Sequence, residues 1–128
     1  MRILLDTHIL LWAVTADPAL GDGASGFLLD TQNQIYVSAA SIWEVAIKHR
    51  KNPALMPLGP QTLIDACRES GFHWLDVSVH HASGTARLPL LHSDPFDRLL
   101  IAQAIQEPMR LLTRDRQIVA YSELVQLV

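Results

Sequence analysis

Short apolar runs alternating with longer amphipathic stretches constrain this chain more than any other feature. Arg2 to Leu5, Ile35 to Val37, Phe72 to Val77, Met109 to Thr113 and Leu124 to Val128 read as five strands. They are largely apolar runs, as expected of strands covered on both faces. Helical patterns lie between them. The first runs from about Thr7 to Ala16 and stops before Pro18; the next is capped by Ser38 and ends in Lys48, Arg50 and Lys51, cations that suit the negative end of a helix. A third covers Gln61 to Ser70 with Gly71 as its C-cap, and a fourth starts at Ser78 and stops before Pro89. Asp94-Pro95 is the best helix start in the chain: an acid to accept free amides, then a proline in the first helical position. A short helix follows Asp115. Only Gly21 to Asp30 resists assignment, because Gly23 and Gly26 weaken the helix that Phe27, Leu28 and Leu29 suggest. The alternation predicts an α/β fold with a mostly parallel five-stranded sheet covered on both faces.

The 128 residues suit one domain, 1–128. Asn52 to Pro60 carries three prolines and a glycine, but too little chain lies on either side for two cores, so it reads as a loop. A net charge of −3 argues against holding nucleic acid by bulk electrostatics and leaves room for a small acidic site. A single cysteine, Cys67, fits a reducing cytoplasm. The longest uninterrupted apolar run, Ile9 to Val14, is too short to span a bilayer, and Met1 to Asp6 reaches an acid too soon for a signal-peptide core, so no membrane association is expected.

Four acids share a placement. Asp6 follows the first strand directly, and Asp115 follows the fourth after Thr113 and Arg114. Glu44 lies in the second turn of the helix after Ser38, and Asp97 in the first turn of the helix begun by Asp94-Pro95. In a doubly wound sheet the C-terminal strand ends and the helix N-termini share one edge, where ligands bind. Each acid has a plainer role as a cap, and Ser41 with Glu44 has capping-box spacing. The caps explain less when taken together, since Asp94 already caps the helix that holds Asp97. Carboxylates about 4 Å apart repel by roughly 4 kcal/mol at an effective dielectric of 20, so a converging set needs protonation, cationic partners or a metal. Oxygen-only donors suit Mg²⁺ or Mn²⁺, and no Cys-x-x-Cys pair or zinc-type histidine spacing is present; His80 and His81 are adjacent and diverge on a helix. The expected chemistry is metal-assisted phosphodiester hydrolysis.

These residues resemble those of PIN-domain ribonucleases, and more narrowly the VapC-like toxins of type II toxin–antitoxin modules. Leu5-Asp6-Thr7-His8-Ile9-Leu10-Leu11-Trp12, Val37 to Lys48, Asp94-Pro95-Phe96-Asp97-Arg98 to Ala104, and Leu111-Leu112-Thr113-Arg114-Asp115 look like the four family motifs, in order and across nearly the whole chain. The resemblance implies a three-layer α/β/α fold and an Mg²⁺- or Mn²⁺-dependent endoribonuclease in which Asp6, Glu44, Asp97 and Asp115 bind metal and a metal-activated water attacks phosphorus. Asp6 and Asp97 would hold the main ion. Asp94 is expected chiefly to cap, with an accessory role beside Thr7 and Thr113, whose hydroxyls can orient ligands. Arg98, Arg114 and Arg116, and the Lys48, Arg50 and Lys51 cluster, are candidates for RNA phosphates. His8 is expected to be packed or solvated, and Trp12, Trp43 and Trp74 to pack in the core. The resemblance also implies a cognate antitoxin, whose binding would block the acidic site, along with a homodimer and toxin–antitoxin hetero-oligomers. Exposed apolar residues in Trp43 to Ile47 or Leu55 to Leu58 are candidates for those contacts. The alternative is a PIN-fold protein that binds nucleic acid or a partner without cleaving. A phospho-accepting receiver domain fits poorly, because only Asp6 follows the first strand and no lysine occurs after Lys51.

Overall fold

The computed structural model describes residues 1–128. Five strands, β1 (Arg2–Leu5), β2 (Gln34–Ser38), β3 (His73–Leu75), β4 (Arg110–Thr113) and β5 (Val125–Leu127), form one sheet in the order β3-β2-β1-β4-β5. All four pairings are parallel. Six α-helices connect them: α1 (Thr7–Val14), α2 (Gly21–Leu29), α3 (Ala39–Lys51), α4 (Pro60–Glu69), α5 (Val79–Gly84) and α6 (Pro95–Gln106).

Alternation along the strands divides the core into two layers. Ile3, Leu5, Ile35, Val37 and Leu112 pack on one face with Ile9 and Leu10 of α1, Ala24 of α2, Val45 of α3 and Leu63 and Cys67 of α4. Leu4, Leu111 and Val125 pack on the other with Leu100, Ile101 and Ala104 of α6. Three layers result, as the sequence predicts. Burial pushes the Cys67 thiol up to about 11, which makes it inert.

The uncertain segment is helical. α2 forms despite its glycines because Ala24 is fully buried and Phe27 and Leu28 pack against the first core layer. Burial of one face outweighs a glycine cost of about 1 kcal/mol per residue. Gly21 is required by its own geometry: its φ is +75°, and a Cβ there would lie 3.2 Å from the Arg114 guanidinium. α1 ends at Val14 rather than Ala16, and Ala16 adopts a left-handed φ of 53°. The helix expected from Ser78 to Pro89 breaks into α5 and a 3₁₀ turn, Thr85–Arg87; the segment after Asp115 is also 3₁₀, Arg116–Tyr121. Gly71 lies just past α4 with φ +74°, the expected C-cap geometry.

Two of the three tryptophans are not core residues. Trp43 is 60% exposed and Trp74 41%, and with Ala39, Ile42, Ala46 and Ile64 they line an apolar groove of about 370 Å³ between α3 and α4. Period reveals which residues share a face, not whether anything covers it. Within the two segments suggested for partner contacts, Trp43 and Leu55 are exposed whereas Val45 is fully buried. No helix is long and apolar enough to cross a membrane.

Arg98 fastens the connection before α6. Its guanidinium donates to the carbonyls of Thr85 (2.9 Å), Leu88 (3.3 Å), Pro89 (2.8 Å) and His92 (3.4 Å) and to the Tyr121 hydroxyl (3.2 Å). An Arg98→Ala substitution is expected to lower stability by about 1–3 kcal/mol, the usual loss when charged hydrogen bonds to part-buried acceptors are removed. Amide exchange should accelerate selectively over residues 85–92.

Candidate metal centre

The strand order reverses direction at β1. The chain builds β2 and β3 to one side, then crosses over to add β4 and β5 on the other. The crevice between β1 and β4, outside their C-terminal ends, is therefore the switch point of the sheet. The register pairs Leu5 with Leu112, and the Asp6 amide donates to the Leu112 carbonyl at 3.1 Å. Asp6 and Thr113 are thereby placed side by side, although 107 residues separate them.

Asp6 caps α1, with Oδ1 accepting the Ile9 amide at 2.9 Å. Its Oδ2 accepts from the Thr113 hydroxyl at 2.5 Å. The residue is only 5% exposed. Burial raises its carboxyl above the usual range, although the Ile9 amide and Thr113 hydroxyl work against the shift. Thr113 has a second task, since its oxygen accepts the Asp115 amide at 3.0 Å. One threonine therefore fixes two of the expected acids. Asp115 also caps the 3₁₀ turn through the Gln117 amide.

Glu44 is buried on α3. Thr7 donates to its Oε1 at 2.7 Å, and Lys48, one turn on, donates to its Oε2 at 2.5 Å. Thr7 also meets the Ser41 hydroxyl at 3.0 Å. Lys48 is thus drawn from the cationic helix end into an ion pair, while Arg50 and Lys51 remain exposed.

Asp97 faces the same crevice from α6. Burial lifts its carboxyl to about 6, and the charges of Asp94, Asp6 and Glu44 add to the rise, against a hydrogen bond from His92. Asp94 caps α6 by accepting the Phe96 and Asp97 amides at 2.9 and 3.0 Å, so it acts on Asp97 through backbone and field. All four expected acids lie around one crevice: Thr113 ties Asp6 to Asp115, Thr7 holds Glu44, and the charges of Asp6 and Glu44 reach Asp97.

One residue that the sequence did not flag also enters the site. His92 Nε2 lies 2.9 Å from Asp97 Oδ2 and 3.9 Å from Asp115 Oδ2. Its hydrogen bond with Asp97 raises the imidazole pKa, as do the charges of Asp97, Asp115 and Asp94. Ligand atoms of His92, Asp97 and Asp115 all lie within 4.8 Å of one another. The available signal was a histidine two residues before the Asp94-Pro95 helix start.

The arginines are placed differently from one another. Arg98 points away from the crevice into the loop described above. Arg114 donates to the carbonyls of Ala19 and Leu20 and lies over the Trp12 ring at 5.3 Å, while Arg116 is exposed. His8 is exposed beside Trp12.

The donor set fits a hard divalent cation. The four carboxylates outnumber the two cationic groups, Lys48 and His92, that reach them, and Asp6 and Asp97 both retain protons more strongly than free acids do. The oxygens of Asp6 and Glu44 that accept hydrogen bonds keep further lone pairs for coordination. The hydroxyls of Thr7 and Thr113 orient the carboxylates, as partners behind metal ligands do.

Metal-free protein should show this strain on titration. Asp97 keeps its proton in the folded chain at pH values where an ordinary aspartate has lost it. Its contribution to stability is complete below the unfolded value of about 4 and is lost as pH rises through about 6. Carboxyl NMR should follow that midpoint. Asp94→Asn should lower it while preserving the cap, whereas Asp94→Ala should also cost about 1 kcal/mol in thermal or denaturant melts.

The PIN domain family model matches residues 3–124. Among solved structures, the chain resembles VapBC2 from Rickettsia felis bound to a DNA fragment from its promoter, with TM-score 0.71, 20% identity, and coverage of 98% of this chain and 96% of that one. It also resembles a toxin–antitoxin complex from Klebsiella pneumoniae, with TM-score 0.63, 20% identity, and coverage of 97% and 95%. No curated protein matches the chain significantly. With acids gathered at the switch point and a family match over almost the entire length, the chain belongs to the PIN domain family, whose members are generally nucleases.

Proposed function

We propose that this PIN domain is a divalent-metal-dependent endoribonuclease and the toxin of a type II toxin–antitoxin pair. The observation that carries the proposal is the assembly of Asp6, Glu44, Asp97 and Asp115 around one crevice, with burial raising two of them. Such an arrangement is costly in an unliganded protein and is offset when a cation binds. Asp6, Asp97 and Asp115 would hold Mg²⁺ or Mn²⁺, with Glu44 reaching it directly or through water. The bound ion would polarise a water and screen phosphate charge.

The chain's own residues set the geometry around that centre. Thr113 holds Asp6 and Asp115 in mutual register, and Thr7 and Lys48 hold Glu44. Arg116 is exposed beside Asp115 and can meet an RNA phosphate. Arg114 can do so only by leaving its carbonyl acceptors, and Arg98 only by releasing the loop. A net charge of −3 makes recognition local and dependent on RNA shape rather than on bulk attraction.

The toxin assignment draws on the complexes that share this fold, and on the apolar groove between α3 and α4, which offers hydrophobic area to an antitoxin. A homodimer within a larger toxin–antitoxin assembly fits the same picture.

Purified, antitoxin-free protein should cleave structured RNA only with a divalent ion, and chelation should abolish the activity. Asp6→Asn and Asp97→Asn should each lower the rate by about 10²-fold or more while the fold survives. Wild-type rates in both variants, or cleavage that survives chelation, would defeat the proposal. Arg98→Lys is expected to change stability more than RNA affinity.

A further inference from the structure

We infer that His92 is a nitrogen ligand of the metal centre and completes with Asp97 and Asp115 a mixed imidazole–carboxylate site that selects a first-row transition ion over Mg²⁺. The inference rests on the proposed divalent centre and goes beyond it by naming a further ligand and the ion class.

The distances support it. Octahedral ions with bonds of about 2.1 Å place neighbouring ligand atoms about 3.0 Å apart and opposite ones about 4.2 Å apart. His92 Nε2 stands 2.9 Å from Asp97 Oδ2 and 3.9 Å from Asp115 Oδ2, so the trio already has the spacing of a coordination shell. Asp6 and Glu44 face the crevice from the other side, each fixed by a threonine.

The backbone that carries the imidazole is also anchored. Its backbone carbonyl accepts from Arg98 Nη1 and from the Tyr121 hydroxyl, each at 3.4 Å. The four Arg98–carbonyl contacts make residues 85–92 a fixed strut. A cleft of about 550 Å³ lined by His92, Ser93, Arg98 and Gln117 opens on the loop side of this strut.

The chemistry follows from the donor types. Carboxylate oxygens alone serve Mg²⁺ and Mn²⁺ alike, whereas an imidazole nitrogen favours transition ions and adds little for strongly hydrated Mg²⁺. Arg98, which stands beside Asp97 in sequence and resembles a phosphate contact, would serve the centre by positioning its nitrogen ligand.

The test uses full-length protein labelled with ¹⁵N-histidine and loaded with Mn²⁺ alone. Pulsed electron paramagnetic resonance should show a nitrogen coupling to the bound ion, absent in His92→Ala. Direct titration should show Mn²⁺ binding weakened about tenfold or more in His92→Ala, with Mg²⁺ binding changed less than about twofold. Manganese bound in an Asp97-dependent way without nitrogen coupling, or with a coupling that persists in His92→Ala, overturns the role of His92 and leaves the carboxylate centre intact. No divalent binding in the wild type overturns both. Equal losses for Mn²⁺ and Mg²⁺ overturn the ion preference. His92→Gln, which keeps a polar side chain of similar reach without the imidazole, is expected to lose the coupling in the same way should His92→Ala fold poorly; a coupling that persists in it overturns the role of His92.

Discussion

A buried carboxylate between the two central strands organises the molecule. Asp6 is nearly inaccessible, ends the first strand, starts the first helix and receives a hydroxyl from the far end of the chain. Such a group is tolerated because every atom around it is placed: an amide on one oxygen, a threonine on the other, and parallel pairing beneath that leaves no slack. Asp97 and Asp115 arrive by similar means, at helix starts where backbone amides stabilise negative charge, whereas Glu44, a turn into α3, is held by Thr7 and Lys48. The fold supplies helix ends for three of the acids and a lysine for the fourth.

Much of this could be read from the residues. Apolar runs marked five strands and their two-sided burial, and Asp94-Pro95 announced α6 with its cap. Acids immediately after strands converge in a doubly wound sheet because topology places every such position on one edge, whatever the loops do. The placement of Asp6 and Asp115 was legible for that reason, and that of Asp97 from the helix start at Asp94-Pro95. The boundaries of individual helices were less so: α1 stops two residues early and the helix from Ser78 breaks, because local tertiary packing decides where a marginal turn stops.

What escaped has physical causes. His92 lies in irregular chain with no period to place it, and it reaches the crevice only because Arg98 gathers four carbonyls around itself. Arg98 looked like a phosphate contact through its neighbour Asp97, but consecutive helical residues point about 100° apart, so one faces the crevice and the other the loop. Trp43 and Trp74 fit an apolar pattern and still meet solvent, since a hydrophobic stripe shows which residues share a face without saying that anything covers it.

The pairing of β1 with β4 has a consequence for biosynthesis. The two sides of the crevice come from distant parts of the sequence, and the threonine that locks the first acid lies 107 residues after it. A chain still emerging from the ribosome holds Asp6 and Glu44 long before their counterparts exist. Whatever chemistry the crevice supports therefore waits until Thr113 and Asp115 have been made, and a product cut short before them carries half a site.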